Sequence, residues 1–251
     1  ALVDMYSDSD DASDGHIILT YDIECEMTSG LPDPLEATNE LTSIALHDSA
    51  TDQYWVLVVD KEGGMKEKTT DKAIVLPFTD ERDMLAKYLE LYEMINPSIV
   101  TGWNIDFFDT PMLYNRIKRL MGEKQANRLS PIGQCFWSPY RKTLYKNYNF
   151  GELPNYRLDT VAQIELGRGK IEYQGNLDQL FRDDIEKFIE YNLVDVELVV
   201  GFEEKLQFID LCRGICHAGH VPYEDFVYSS KYLEGAMLTY LRRRNLVAPN
   251  K

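Results

Sequence analysis

The run His16-Ile-Ile-Leu-Thr-Tyr-Asp-Ile-Glu24 constrains the fold more than any other segment of the chain. It is apolar and rich in β-formers, the composition of a strand buried in a sheet. Asp22 and Glu24 sit two apart on it, so the pleat sends both carboxylates to the same face. Carboxylates presented from a buried strand need compensation by hydrogen bonds or by cations.

Leu41–His47 and Tyr54–Asp60 read as neighbouring strands, separated by the turn Asp48-Ser-Ala-Thr-Asp52. A polar loop, Lys61–Lys72, follows. Thr79-Asp-Glu81 opens a helix with a cap residue and acids in its first turn. Its apolar face runs through Met84, Leu85, Tyr88, Leu91, Tyr92 and Ile95 at helical spacing. Asn96-Pro97 stops it, Ser98–Gly102 is another short strand, and a helix runs from about Asp109 to Met121. From Asp183 a long helical pattern covers Ile185, Phe188 and Ile189 and continues past Val196 and Val199. A last helix, about Ser229–Arg244, ends in Arg242-Arg-Arg244. There is no internal repeat. Strands followed by helices point to an α/β sheet with helices on both faces.

Of the 251 residues, 44% are hydrophobic and 27% charged, which supports a packed core and excludes wholesale disorder. No stretch approaches the ~18 uninterrupted apolar residues of a membrane span, and no charged-then-apolar start suggests a signal peptide. Four cysteines make no disulfide framework, so a reducing, cytoplasmic setting is expected. Residues 1–15, acidic and rich in Ser and Asp, read as a flexible lead-in. The net charge of −16, from 26 basic and 42 acidic residues, is opposite to the usual footprint of a nucleic-acid binder. Either nucleic acid is not the partner, or many carboxylates have another task, such as holding divalent cations.

Two further patterns bear on that choice. Asp109 closes Gly102-Trp-Asn-Ile-Asp-Phe-Phe-Asp109, just after a short strand and at a helix start. Tyr191 and Asp195 are four apart on a strong helix, so one face presents both. Four acids and a tyrosine can thus converge from three elements. Such a focus is unfavourable unless cations neutralise it, and hard oxygen ligands suit magnesium or manganese. Two such ions ~4 Å apart form the clamp used in phosphodiester hydrolysis. Singly, each pattern also fits solvated acids at a sheet edge or an ordinary half-exposed helix face.

Asp22-x-Glu24, Asn104-x-x-x-Phe108-Asp109 and Tyr191-x-x-x-Asp195 together resemble the Exo I, Exo II and Exo III motifs of the DEDDy 3′–5′ exonucleases. The resemblance is to the proofreading domain of family B DNA polymerases, particularly those of tailed phages. Supporting stretches are Leu31–Pro34, Pro77–Met84, Ser130–Gly133 and Tyr156–Gln163, so it covers nearly the whole chain from Ile17. It implies an RNase H-like α/β domain over residues 16–199, with a helical connector over 200–251 leading towards a polymerase palm that is absent here. It implies two Mg2+ or Mn2+ ions held by Asp22, Glu24, Asp109 and Asp195, with Asp22 bridging both. Glu24 and Asp195 would complete the catalytic-metal site, and Asp109 would serve the second ion. Tyr191 would hydrogen-bond the attacking water, as a phenol with a pKa of ~10 can. Asn104 and Phe108 would hold a frayed 3′ end, and Lys170 would face the scissile phosphate. The partners implied are single-stranded or primer-end DNA and the remaining polymerase domains, in cis or as a separate chain. No membrane is implied, and a phage origin would mean the host cytoplasm.

Two departures from the family pattern stand out. Only Gln134–Thr143 lies where relatives have a β-hairpin and a strand ending in an Asp-Tyr pair. Exo I also carries an extra acid, Glu26, which on a regular strand shares a face with Asp22 and Glu24. It reads as a solvated strand-end acid, with metal binding the alternative. Trp137 with Arg141, Lys142 and Lys146 could form a single-strand stacking strip. Cys212, Cys216 and His220 line up at four-residue steps on a helix, but with His217 pointing away the set reads as buried thiols and surface histidines rather than a zinc site. Two other functions fit the same acids: a freestanding DEDDy ribonuclease, and a non-catalytic docking module.

Overall fold

The computed structural model describes residues 15–27, 30–135 and 155–248. The acidic lead-in up to residue 14, the Trp137 strip and most of the shortened Gln134–Thr143 segment lie outside the described residues. The chain divides into two compact units, His16–Phe202 and one that includes the helices after Glu203.

Among the described residues, the first unit is built on a six-stranded mixed sheet. Its strands are β1 (Ile18–Cys25), β2 (Leu41–Asp48), β3 (Gln53–Val59), β4 (Lys68–Thr69), β5 (Ala73–Phe78) and β6 (Ile99–Thr101), in the order β4-β5-β3-β2-β1-β6. β1–β2–β3 form an antiparallel meander, while β5 joins β3 and β6 joins β1 in parallel. The helices are α1 (Glu81–Ile95), α2 (Asp109–Met121), α3 (Glu123–Ala126), α4 (Leu158–Leu166), α5 (Leu177–Asp183) and α6 (Ile185–Leu206). Asp80 caps α1, its side chain accepting from the Arg82 N–H at 2.7 Å.

Alternation along β1 sorts the two faces. Leu19, Tyr21, Ile23 and Cys25 enter a core shared with α1 and α2. On the other face Ala45, Val56, Val58, Ala73 and Val75 pack with Leu180 of α5 and with Phe188, Ile189, Leu193 and Val196 of α6. That second face receives Asp22 and Glu24. At the rim of the first, Glu81 and Arg116 form a buried bidentate pair (2.6 and 2.8 Å); Glu81 also accepts the Leu41 N–H.

Lys68–Thr69, read from sequence within a polar loop, instead form β4. Ala73–Phe78, given no element from sequence, forms β5 although it carries a proline. Pro77 is tolerated because β4 pairs only Ile74 and Val75, so no β4 partner stands opposite Pro77. β1 ends at Cys25, the N–H of Glu26 donates to the Glu40 carbonyl, and Glu26 lies outside the group of acids able to hold an ion.

In the second unit, α7 (Phe208–Gly219) and α8 (Ser229–Arg243) pack closely through glycines: a Cβ on Gly235 would fall 2.1 Å from the Gly219 carbonyl oxygen. α7 stops at Gly219 and His220 takes a left-handed conformation, so His220 does not continue the Cys212–Cys216 helical row. Among the described residues no helix is long and apolar enough to cross a membrane.

Candidate active site

The site starts where β6 ends. β6 pairs with β1 only over Ile18–Thr20, so among the described residues no strand pairs with the second half of β1 on that side. The chain leaves β6 through Gly102, where a Cβ would lie 2.5 Å from the Tyr21 carbonyl oxygen. Only glycine lets the backbone pass so close. Asn104 then turns the chain in the left-handed region (φ 67°), and Trp103 packs on Phe202 of α6 with ring centroids 5.6 Å apart. This turn delivers Asp109 to the start of α2, where its Oδ1 accepts the Ile23 N–H at 3.2 Å. A side chain thus takes up a backbone N–H of β1 beyond the end of β6.

From the opposite direction α6 lays Tyr191, Asn192 and Asp195 over β1. Asp22, Glu24 and Asp195 each offer a carboxylate oxygen such that the three atoms lie within 4.8 Å of one another; among the described residues they form the one such group able to hold a metal ion. Asp109 stands outside that trio and acts on it through its charge. Lys170, on the loop after α4, is fixed by its N–H donating to Asp159 Oδ1 at 2.9 Å. Its ammonium donates to Asp195 Oδ2 at 2.5 Å and to the Tyr191 hydroxyl at 3.0 Å. Tyr173 meets Tyr191 edge-on, 5.3 Å between centroids.

Burial, then the charges of Glu24, Asp109 and Asp195, hold the Asp22 carboxyl well above the usual carboxylate range. Burial and the charge of Asp195 push Glu24 up to about 8, against the pull of Lys170. Burial pushes Asp109 up to about 6, offset by the Ile23 N–H. Asp195 is raised by burial and held down by the charge and hydrogen bond of Lys170 and by Tyr191. Burial works against the Lys170 ammonium, but Asp195 and Tyr191 outweigh it and Lys170 stays firmly cationic. Tyr191, raised by burial and by Asp195, is a neutral phenol.

The donors suit a hard divalent cation. All three are carboxylates, and Asp195, only 2% exposed, carries a buried Oδ1 with no hydrogen-bond partner. A buried acceptor left bare beside two more acids is what an ion would satisfy.

The other expected residues lie in the turn before α2. Asn104 is exposed, whereas Phe108 is half-buried and packs on the α1/α2 core. The aromatic ring exposed there is Phe107, at 56%. Sequence reading passed over Phe107, and over Asn192 and Ser43, which back Asp22. The adjacent Phe-Phe pair was the available signal for Phe107. Nothing local signals Asn192 and Ser43, which meet across 149 positions.

The mixed sheet, its flanking helices and the acids carried on β1, α2 and α6 define an RNase H-like α/β exonuclease fold. The family described as DNA polymerase family B, exonuclease domain, matches residues 2–160, and the chain belongs to it. The DNA-directed DNA polymerase of Enterobacteria phage T4 is 30% identical over 260 residues, covering 88% of this chain and 29% of its own. That of Escherichia phage RB69 is 29% identical over 272 residues, covering 92% and 30%. DNA polymerase 1 of Saccharolobus solfataricus is 29% identical over 186 residues, covering 68% and 20%. The chain therefore spans less than a third of the length of these relatives. Both phage alignments exceed its 251 residues, so the phage proteins carry residues within the matched span that this chain lacks.

Proposed function

We propose that the chain hydrolyses single-stranded or frayed DNA from its 3′ end, releasing nucleoside 5′-monophosphates, as the proofreading part of a family B DNA polymerase. The observation that carries this reading is the convergence of Asp22, Glu24 and Asp195 around the unpartnered Asp195 Oδ1. Residues 16–199 are the exonuclease domain and residues 200–251 the connector towards the polymerase body. That body, in cis or as a separate chain, is the protein partner and works with it in the cytoplasm.

Asp22, Glu24 and Asp195 would hold one Mg2+ or Mn2+, with Asp22 and Asp109 serving a second. Bound ions supply neutralisation of phosphodiester charge and activation of water at neutral pH. The residues themselves do the rest. Tyr191 keeps its proton and offers its hydroxyl to the attacking water; its ring is fixed by Tyr173 and its oxygen by Lys170. Lys170 places a permanent positive charge beside the acids, where an anionic phosphate must approach. Asn104 and Phe108 hold the terminal nucleotide, and Phe107 offers an exposed ring for base stacking. Bound ions would bring positive charge to the acid cluster of a chain whose net charge is −16, with duplex binding left to other domains.

The test is digestion of 5′-labelled single-stranded DNA with Mg2+ or Mn2+, beside an Asp22→Ala/Glu24→Ala double variant and an RNA of the same sequence. A metal-dependent ladder shrinking from the 3′ end, lost in the double variant, is expected. Digestion of RNA alone would move the chain to the ribonucleases, and an inert wild type that binds no metal would make it a docking module.

A further inference from the structure

We infer that Asn192 is a positioning residue that fixes the Asp22 carboxylate for the ion-binding cluster, with Ser43 holding Asn192 in turn; this rests on the metal-dependent reading above.

Asn192 follows Tyr191 on α6 and is 0% exposed. Its Nδ2 donates to Asp22 Oδ2 at 2.8 Å. Its Oδ1 lies 2.8 Å from Ser43 Oγ, which is also 3.0 Å from the Leu57 carbonyl oxygen. In the ionised, ion-binding form of Asp22 the opposite amide orientation would set the Asn192 oxygen against a group that only accepts. Ser43 stands opposite Glu24 in the β1–β2 register, so its hydroxyl rises on the same sheet face as both acids. A continuous polar path therefore runs from the β3 backbone through a β2 hydroxyl and an α6 amide to a β1 carboxylate.

The kind of support differs from that at Asp195. Lys170 meets Asp195 with a full positive charge, which competes with an incoming cation. Asn192 brings no charge. It stops the rotation of the Asp22 carboxylate while leaving its negative charge available to an ion. Partners of this kind behind a ligand typically carry a 10–100-fold effect on metal affinity or activity. A leucine at 192 fills a similar volume but cannot donate.

The experiment titrates Mn2+ into metal-free wild type, Asn192→Leu and Ser43→Ala by calorimetry, with thermal melts and nuclease assays in parallel. Asn192→Leu is expected to weaken Mn2+ binding about tenfold or more. Ser43→Ala, which removes one neutral hydrogen bond further back, is expected to weaken it about 2- to 5-fold. Excess Mn2+ should restore the activity of both, a rescue that loss of packing alone would not show. Wild-type Mn2+ affinity in both variants would overturn the inference while leaving the nuclease reading standing. A wild type that binds no Mn2+ would overturn both. If Asn192→Leu does not fold, Ser43→Ala and the exchange of the Asn192 side-chain amide protons in the wild type decide. Slow exchange supports the inference, and exchange as fast as that of an exposed asparagine contradicts it.

Discussion

Lys170 Nζ lies 2.5 Å from Asp195 Oδ2 and 3.0 Å from the Tyr191 hydroxyl, so one ammonium ties together the two residues that α6 contributes to the acid cluster. The Lys170 side chain is 30% exposed and that of Asp195 2%, which places the pair between a surface and a buried ion pair. Replacing Lys170 by Met should cost about 2 kcal/mol in urea unfolding of the EDTA-treated protein. It should also lower nuclease turnover about 100-fold at saturating metal. Unchanged turnover would remove Lys170 from the phosphate-facing role.

Tyr191→Phe leaves the Tyr173 ring contact and the three carboxylates in place and deletes only the hydroxyl. Single-turnover digestion should slow by about 10- to 100-fold, with Mn2+ affinity and melting temperature close to wild type. A comparable loss of Mn2+ affinity would instead make Tyr191 a support for Asp195.

The metal-free protein should lose stability as pH rises. Glu24, at about 8, and Asp109, at about 6, both lie above their unfolded carboxyl values, so the folded state binds more protons than the unfolded one between those limits. The stabilisation is fully present below the unfolded values and is lost as pH climbs through the folded ones. Melting temperatures in EDTA should therefore fall between about pH 4.5 and 8. Added Mg2+, which takes the place of those protons, should flatten the slope. A rise with pH in EDTA would contradict the burial of these acids.

Gly102→Ala tests the turn by which the chain leaves β6. The new Cβ would meet the Tyr21 carbonyl oxygen at 2.5 Å and Ile105 Cγ2 at 2.3 Å, and the backbone oxygen cannot yield without moving β1. A loss of about 1–3 kcal/mol is expected by chemical denaturation, with reduced activity because the same turn carries Asp109.

How much of this was legible from sequence depended on the range of the interaction. Asp22 and Glu24 follow from period two on a strand, and Tyr191 and Asp195 from a four-residue step on a helix. The helix from Asp109 to Met121 has the expected limits. Each of these is local. β5 contains Pro77, and the short reach of β4 that accommodates it is a pairing no local pattern announces. Asn192 reaches Asp22 across 170 positions, a juxtaposition that exists only once α6 has folded over β1.

The most direct test of the acid cluster as the ion-binding centre is an anomalous difference map from crystals grown with Mn2+. The expected result is a peak within bonding distance of Asp195 Oδ1 and flanked by Asp22 and Glu24, absent from an Asp195→Asn crystal. A map with no density there, or with Mn2+ bound only elsewhere on the chain, would contradict it.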